Sequence, residues 1–324
     1  MANLALKNPP LWGLLVALTL CWSAWGQQAI VATTAESATR QPAGVFLQTV
    51  DFATRTVLPG IEILPGPEAT SPLLLSQDAR LASLCTGSDG PAGGYYASFY
   101  GTDFPGPATL AFGGGWRPIN ACMATGRQGG EALVVAGRLP GEKGPRGALY
   151  AFATPDPERP RAYTTAADAA LAQMAVAGEP AGMTPVPPGD RVAMVYVGQD
   201  SCAVGVVVFD VPRAETVAEL DNLADEAQQM STAPGGLAIS RDSRTLFVLV
   251  TGYAIGQRSG EAVSWLYALD ADTLSRRGDP LELPGVAEPR DLPIKPAGAD
   301  ACWVGTRPRG SDFAYATLVR LTDA

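Results

Sequence analysis

The sequence predicts an all-β fold assembled from repeated antiparallel modules, and three observations predict it. Five prolines, Pro72, Pro118, Pro180, Pro234 and Pro289, lead into new stretches of chain, written TSP-LLL, WRP-INA, GEP-AGM, TAP-GGL and AEP-RDL. Each is answered 15 to 19 residues later by a glycine, at Gly87, Gly137, Gly198, Gly252 and Gly305, in LCTG, VVAG, VYVG, VLVTG and CWVG. Between proline and glycine lies a turn signal followed by a nearly continuous apolar run. A period of 46 to 62 residues marks a modular array, because one such module cannot bury both of its faces alone.

The elements follow in chain order. Residues 1–26 read as a secretory signal peptide: Lys7 is the only charge before the apolar run Leu11–Ala24, and Ala24-Trp25-Gly26 puts small residues at the −3 and −1 positions. That run is shorter than the roughly 20 apolar residues of a membrane span. A retained anchor, or lipidation at Cys21 despite the bulky Leu20 before it, is the alternative. The segment 27–44 has room for one strand, at Ala29–Thr33, that would join the first module, and residues 45–324 read as one domain. Val45–Ile63 has the form of a third and fourth strand, so the chain starts partway into a module.

In the five modules the turns fall at Ser76–Ala79, Arg127–Gly130, Pro188–Asp190, Ser240–Ser243 and Pro296–Gly298, where Asp, Gly and Ser supply tight-hairpin conformations. The runs after them, Leu81–Cys85, Ala132–Ala136, Val192–Val197, Thr245–Val250 and Ala301–Val304, predict strands buried on both faces. Third strands are predicted at Tyr95–Tyr100, Ala148–Phe152, Val204–Phe209, Ser264–Leu269 and Phe313–Leu321. Ala166–Ala177 and Glu215–Met230 have helix-favouring composition. The first reads better as a strand and linker, the second as a strand with room for a short helix after it.

This pattern resembles β-propellers of the YVTN and lactonase-like type, most closely at Pro234–Gly252, PGGLAISRDSRTLFVLVTG. The resemblance covers roughly residues 45–322 and implies a propeller of six blades, with five or seven as alternatives, joined by short helical or irregular connectors. Ring closure hides edge strands that would otherwise pair with other chains.

Composition narrows function. Of 324 residues 47% are hydrophobic and 17% charged, ample for one large core. The net charge is −9, and loss of Lys7 with the signal would leave 22 basic against 32 acidic residues. An acidic surface argues against nucleic acid and anionic lipid as partners, and no stable membrane insertion is expected after signal cleavage. The four cysteines beyond residue 26, Cys85, Cys122, Cys202 and Cys302, allow two disulfides in an exported chain, with Cys85–Cys122 able to staple neighbouring modules. Four buried free thiols are the alternative. There is no histidine, which excludes Ser-His-Asp and Cys-His catalysis and histidine-held zinc or haem.

In propellers, ligands commonly bind at the channel mouth, on the loops leading into each innermost strand. Here those loops carry Glu68, Trp116, Arg117, Glu179, Glu288, Arg290 and Asp291. Carboxylates and guanidiniums facing one funnel would bind a cation or a small polar ligand, with Trp116 as a stacking surface. Interblade ion pairs at a solvated rim are the plainer outcome. Gly113-Gly114-Gly115 lacks the helix and Lys-Ser or Lys-Thr of a phosphate loop, and DADTLSRRGD lacks the glycine and glutamate spacing of an EF-hand. The expectation is an exported periplasmic or extracellular β-propeller, non-catalytic, without a cofactor, that binds a protein or small polar ligand at the channel mouth. The alternatives are a carboxylate- or metal-dependent, lactonase-like hydrolase and an accessory subunit of a periplasmic redox complex.

Overall fold

A computed structural model describes residues 16–17, 28–36, 42–51, 54, 56–57, 61–64, 74–75, 81–86, 95–101, 108–112, 117–126, 129–139, 146–153, 172–198, 203–223, 229–254, 262–283, 294–306 and 315–321. Within them the chain is all β. Its strands form six antiparallel sheets that follow one another along the sequence, each a meander except the first, where Ile61–Leu64 pairs back to Pro42–Asp51. The first sheet joins Val16–Ala17, Gln28–Glu36, Pro42–Asp51, Thr56–Val57 and Ile61–Leu64. The second joins Leu74–Leu75, Leu81–Thr86, Tyr95–Gly101 and Ala108–Phe112.

The next three sheets show the module most fully. The third is Arg117–Thr125, Glu131–Leu139, Arg146–Ala153 and Ala172–Val176. The fourth is Gly178–Val186, Arg191–Gly198, Val204–Asp210 and Glu215–Leu220. The fifth is Gln229–Ile239, Thr245–Ala254, Ala262–Asp270 and Leu281–Leu283. A sixth, of three strands, is Lys295–Pro296, Ala301–Thr306 and Tyr315–Arg320. The apolar runs and third strands fall where the sequence places them. The helix-favouring stretches contribute the strands Ala172–Val176 and Glu215–Leu220, and residues 224–228, where the short helix was expected, lie outside the described residues.

The core lies between sheets, which is why the second strands are apolar at successive positions. On Arg191–Gly198, Val192, Met194 and Tyr196 pack toward Val134, Ala136 and Leu149 of the third sheet. The intervening Ala193 and Val195 pack toward Val248 and Val250 of the fifth. Strand alternation thus feeds two interfaces at once. Phe247 and Leu249 repeat this toward Cys302, Val304 and Val319 of the sixth sheet. Each fully buried Val or Leu contributes about 1.5–3 kcal/mol.

The run Ala301–Val304 departs from the expectation of burial on both faces. Trp303 is 45% exposed, and its cross-strand partners Lys295 and Leu318 are exposed with it. That face of the last sheet has no covering sheet among the described residues.

The three module prolines among the described residues, Pro118, Pro180 and Pro234, have a structural consequence beyond opening a strand. Pairing between first and second strands shifts by one residue between Pro118 and Asn120, between Pro180 and Gly182, and between Pro234 and Gly236. Each of these three prolines is therefore followed by a β-bulge. Proline cannot donate to a ladder and is confined to edge strands and bulges, and bulges bend the strand and increase its twist. In the fifth sheet the strand begins at Gln229, so Pro234 sits inside it rather than at its start.

The bulges lie where neighbouring sheets meet. A Cβ on Gly182 would be 3.7 Å from Gly236 Cα, so the first strands of the fourth and fifth sheets nearly touch. Gly236 has φ of 131°, a conformation that glycine adopts without strain. At the far ends of these strands the hairpin turns bond across sheets: Thr125 N–H donates to Gly189 O at 2.6 Å, and Arg241 N–H to Gly298 O at 3.0 Å.

Candidate functional site

The opposite end of the sheets, where the first strands begin, carries Arg117 and Glu179 of the groups picked out from sequence. Of these, Glu179 is described with its side chain, and Arg117 through its backbone and register. Glu68, Trp116, Glu288, Arg290 and Asp291 lie outside the described residues.

Arg117 opens the first strand of the third sheet and pairs directly with Arg138, the residue after Gly137 on the second strand. Glu179 is the second residue of the fourth sheet's first strand, paired with Val197. The two sheets meet through an Arg138 Nη1–Glu179 Oε2 ion pair at 4.0 Å, its side chains 47% and 41% exposed. An exposed pair at this separation holds its partners only loosely.

Gly147 makes the approach feasible. It is the third-strand partner of Arg138. A Cβ there would fall on Gly178 O and within 2.7 Å of Pro180 Cδ, so any larger residue would push the fourth sheet away. Arg138 was not among the residues picked out from sequence. It follows an apolar run and a glycine, and only the register reveals its partner.

A second polar cluster lies at the outer strands of the fourth sheet. Tyr196 is buried, yet its hydroxyl reaches Glu219 Oε1 at 3.1 Å and Asp221 Oδ1 at 3.3 Å. Burial, and next the adjacent Glu219 and Asp221 carboxylates, raise its phenol pKa. A phenol held neutral between two solvent-facing carboxylates serves as a hydrogen-bond donor, which is a structural role.

The acidic loop of the fifth sheet is also structural. Asp270 Oδ1 accepts hydrogen bonds from Asp272 N–H, Thr273 N–H and the Thr273 hydroxyl at 3.1 Å, and Oδ2 accepts from Arg277 at 2.9 Å. The Arg277 bond, outweighing desolvation and helped by the Thr273 and Asp272 amides, lowers the Asp270 pKa to about 2. Nearby, Asp272 pairs with Arg191 of the fourth sheet at 2.6 Å, and Arg276 donates to Leu223 O at 2.6 Å while lying 5.6 Å from the Tyr267 ring centroid. These contacts tie the fourth and fifth sheets together.

The cysteines bring a correction. Cys122 and Cys302 are free thiols buried in separate sheet interfaces, so the Cys85–Cys122 pairing that spacing allows is not made. Cys122 packs among Val134, Ala136 and Met194, where the strand geometry aims its side chain into apolar surroundings. Burial pushes the Cys302 thiol up to about 12 and the Cys122 thiol higher still. The side chain of Cys85 and all of Cys202 lie outside the described residues. Among the described residues, no group of three or more acidic or cysteine side chains is placed to hold a metal ion.

No known family's sequence profile matches this chain, and no curated protein does. Solved structures do. A chain of the mitotic checkpoint complex superposes with TM-score 0.57 at 10% identity, over 94% of this chain and 74% of that one. An oligogalacturonate lyase in complex with manganese superposes with TM-score 0.55 at 12% identity, over 95% of this chain and 78% of that one. The β-propeller domain of the Trilobed protease from Pyrococcus furiosus covers 92% of this chain and 83% of its own, with TM-score 0.46 and 10% identity. At such identities likeness speaks for fold alone. The likeness at TM-scores of 0.57 and 0.55, together with six successive antiparallel sheets, makes this chain a β-propeller.

Proposed function

We propose that the protein is an exported, non-catalytic β-propeller that binds a protein partner or small polar ligand through the end where its first strands begin. The observation that carries this is the loose, half-exposed Arg138–Glu179 pair joining two sheets at that end, with Arg117 beside it in register. The absence of histidine throughout the chain removes the commonest catalytic groups and favours binding over turnover. Export rests on the 1–26 signal sequence and leads to the periplasm or the exterior.

The competing reading is a lactonase-like hydrolase using Glu68, Glu179 and Glu288, favoured by the carboxylates on these loops and by the Pro234–Gly252 resemblance. One experiment separates the two. A photo-crosslinking residue at position 179 captures a defined partner from the native compartment, one at position 241 on the hairpin-turn end does not, and the purified protein turns over no lactone or glycoside. Hydrolysis that is lost in Glu179→Gln or Glu288→Gln would replace binding with catalysis.

A further inference from the structure

We propose that the outer edge of the sixth sheet, Tyr315–Arg320, is a strand-addition site for an extended segment of a partner protein. That segment is apolar at alternate positions and sets a carboxylate opposite Arg320. The surface is separate from the end where the first strands begin.

The first observation is a missing neighbour. Each of the second to fifth sheets carries a fourth strand paired antiparallel with its third: Ala108–Phe112, Ala172–Val176, Glu215–Leu220 and Leu281–Leu283. The sixth has none among the described residues, so Tyr315–Arg320 presents one side of its backbone unpaired. The described strands of the first sheet all pair within that sheet, and none pairs with this edge.

The second observation is how the edge is made. Native edges are blunted by charge, bulges or short length, because unpaired amides and carbonyls template another strand. The outer strand of the fourth sheet carries Glu215 and Glu219, with a register break opposite Val208 and Phe209. That of the fifth is three residues long, with Glu282 at its centre. Tyr315–Arg320 has none of these devices. Its six residues pair with Ala301–Thr306 in unbroken register, and Arg320 at the end is its only charged residue.

The third observation is the chemistry of the face. Alternation puts Ala316, Leu318 and Arg320 on one face, all exposed, while Val319 between them is buried against the fifth sheet. Trp303, directly opposite Leu318, widens the apolar part. Fourth strands elsewhere use the corresponding face: Met174 and Val176 of the third sheet and Leu283 of the fifth pack toward the sheet that follows. An antiparallel strand added here sets successive alternate residues opposite Arg320, Leu318 and Ala316, which suits a carboxylate followed by two apolar side chains. Backbone pairing supplies the affinity in such an addition, and the alternate side chains supply the choice of partner.

The test is titration of the purified protein with the fluorescein-labelled peptide Glu-Thr-Val-Thr-Val-Thr, followed by backbone hydrogen exchange. Saturable binding is expected, with weaker binding of Glu-Val-Val-Thr-Thr-Thr, which has the same composition without the alternation. Alternate amides of Tyr315–Arg320, those not bonded to Ala301–Thr306, should exchange fast in the free protein and slowly in the complex. Arg320→Glu should weaken this peptide about fivefold and favour Lys-Thr-Val-Thr-Val-Thr by about as much, the upper end for one cross-strand charge pair. A misfolded variant would not reverse a preference. Leu318→Lys, at an exposed position, should weaken both alternating peptides about tenfold. The proposal is overturned if the peptide does not bind, if loss of alternation costs nothing, or if binding leaves exchange at Tyr315–Arg320 unchanged. It is overturned too if Arg320→Glu does not reverse the preference. Dimerisation that Leu318→Lys abolishes would assign the edge to a second copy. Slow exchange of the outward amides in the free monomer would assign it to a segment of the same chain, and either result overturns the partner strand.

Discussion

Gly205→Ala tests the packing logic of the blades at one atom. Gly205 lies in the third strand of the fourth sheet and pairs directly with Tyr196. A Cβ there would land on Tyr196 Cζ and lie 2.5 Å from Cε2 and from the hydroxyl oxygen. Ordinary contact begins near 3.4 Å, so the ring must move by more than 1 Å. It has little room, because Tyr196 is only 1% exposed and packs within the core of the third and fourth sheets. Overpacking of this kind costs about 1–3 kcal/mol. Alanine in a strand returns about 0.5–1 kcal/mol relative to glycine. Displacing the hydroxyl from Glu219 and Asp221 adds little, since both carboxylates remain solvated.

A net loss of about 1–2 kcal/mol is therefore expected, seen in urea as a midpoint lowered by about 0.5 M with unchanged slope. A double-mutant cycle sharpens the argument. Tyr196→Leu destabilises by itself through the lost ring, but in that background Gly205→Ala should be neutral or stabilising, giving a coupling of at least about 1 kcal/mol. If Gly205→Ala is tolerated beside Tyr196, or the two effects simply add, the ring is not held against that glycine and the reasoning fails.

Asp270 gives a pH dependence of known sign. Its pKa in the folded protein, about 2, lies below the roughly 3.9 of an unfolded chain, so its stabilisation is present above about pH 4 and is lost as pH falls toward 2. It amounts to about 2 kcal/mol at most, and urea midpoints of Asp270→Asn should fall less steeply over that range than wild type; parallel curves would contradict it. Cys122 and Cys302 should resist thiol reagents in the native protein and react in urea, because buried thiols with raised pKa values hold almost no thiolate. Rapid native labelling at either position would place it at the surface.

What could be read from sequence, and what could not, follows from which physical signals are local. The strand centres were legible because burial between two sheets demands unbroken apolar runs, and Val192–Val197 or Thr245–Val250 leave no other reading. The exposed Trp303 was not legible, because exposure depends on what covers a face, and a tryptophan in a strand looks buried. The Cys85–Cys122 pairing misled for a similar reason: spacing counts residues along the chain, while Cys122 is directed into the apolar interface of the third and fourth sheets. The prolines are the instructive case. As opening marks they located the modules, but their physical effect, a one-residue shift two positions on, is invisible in a hydrophobic pattern. That shift determines that Arg117 pairs with Arg138 in register, a partner the sequence does not announce. The same device recurs at Pro180 and Pro234, with Gly182 and Gly236 after it, where the bulge instead lets two first strands close upon each other.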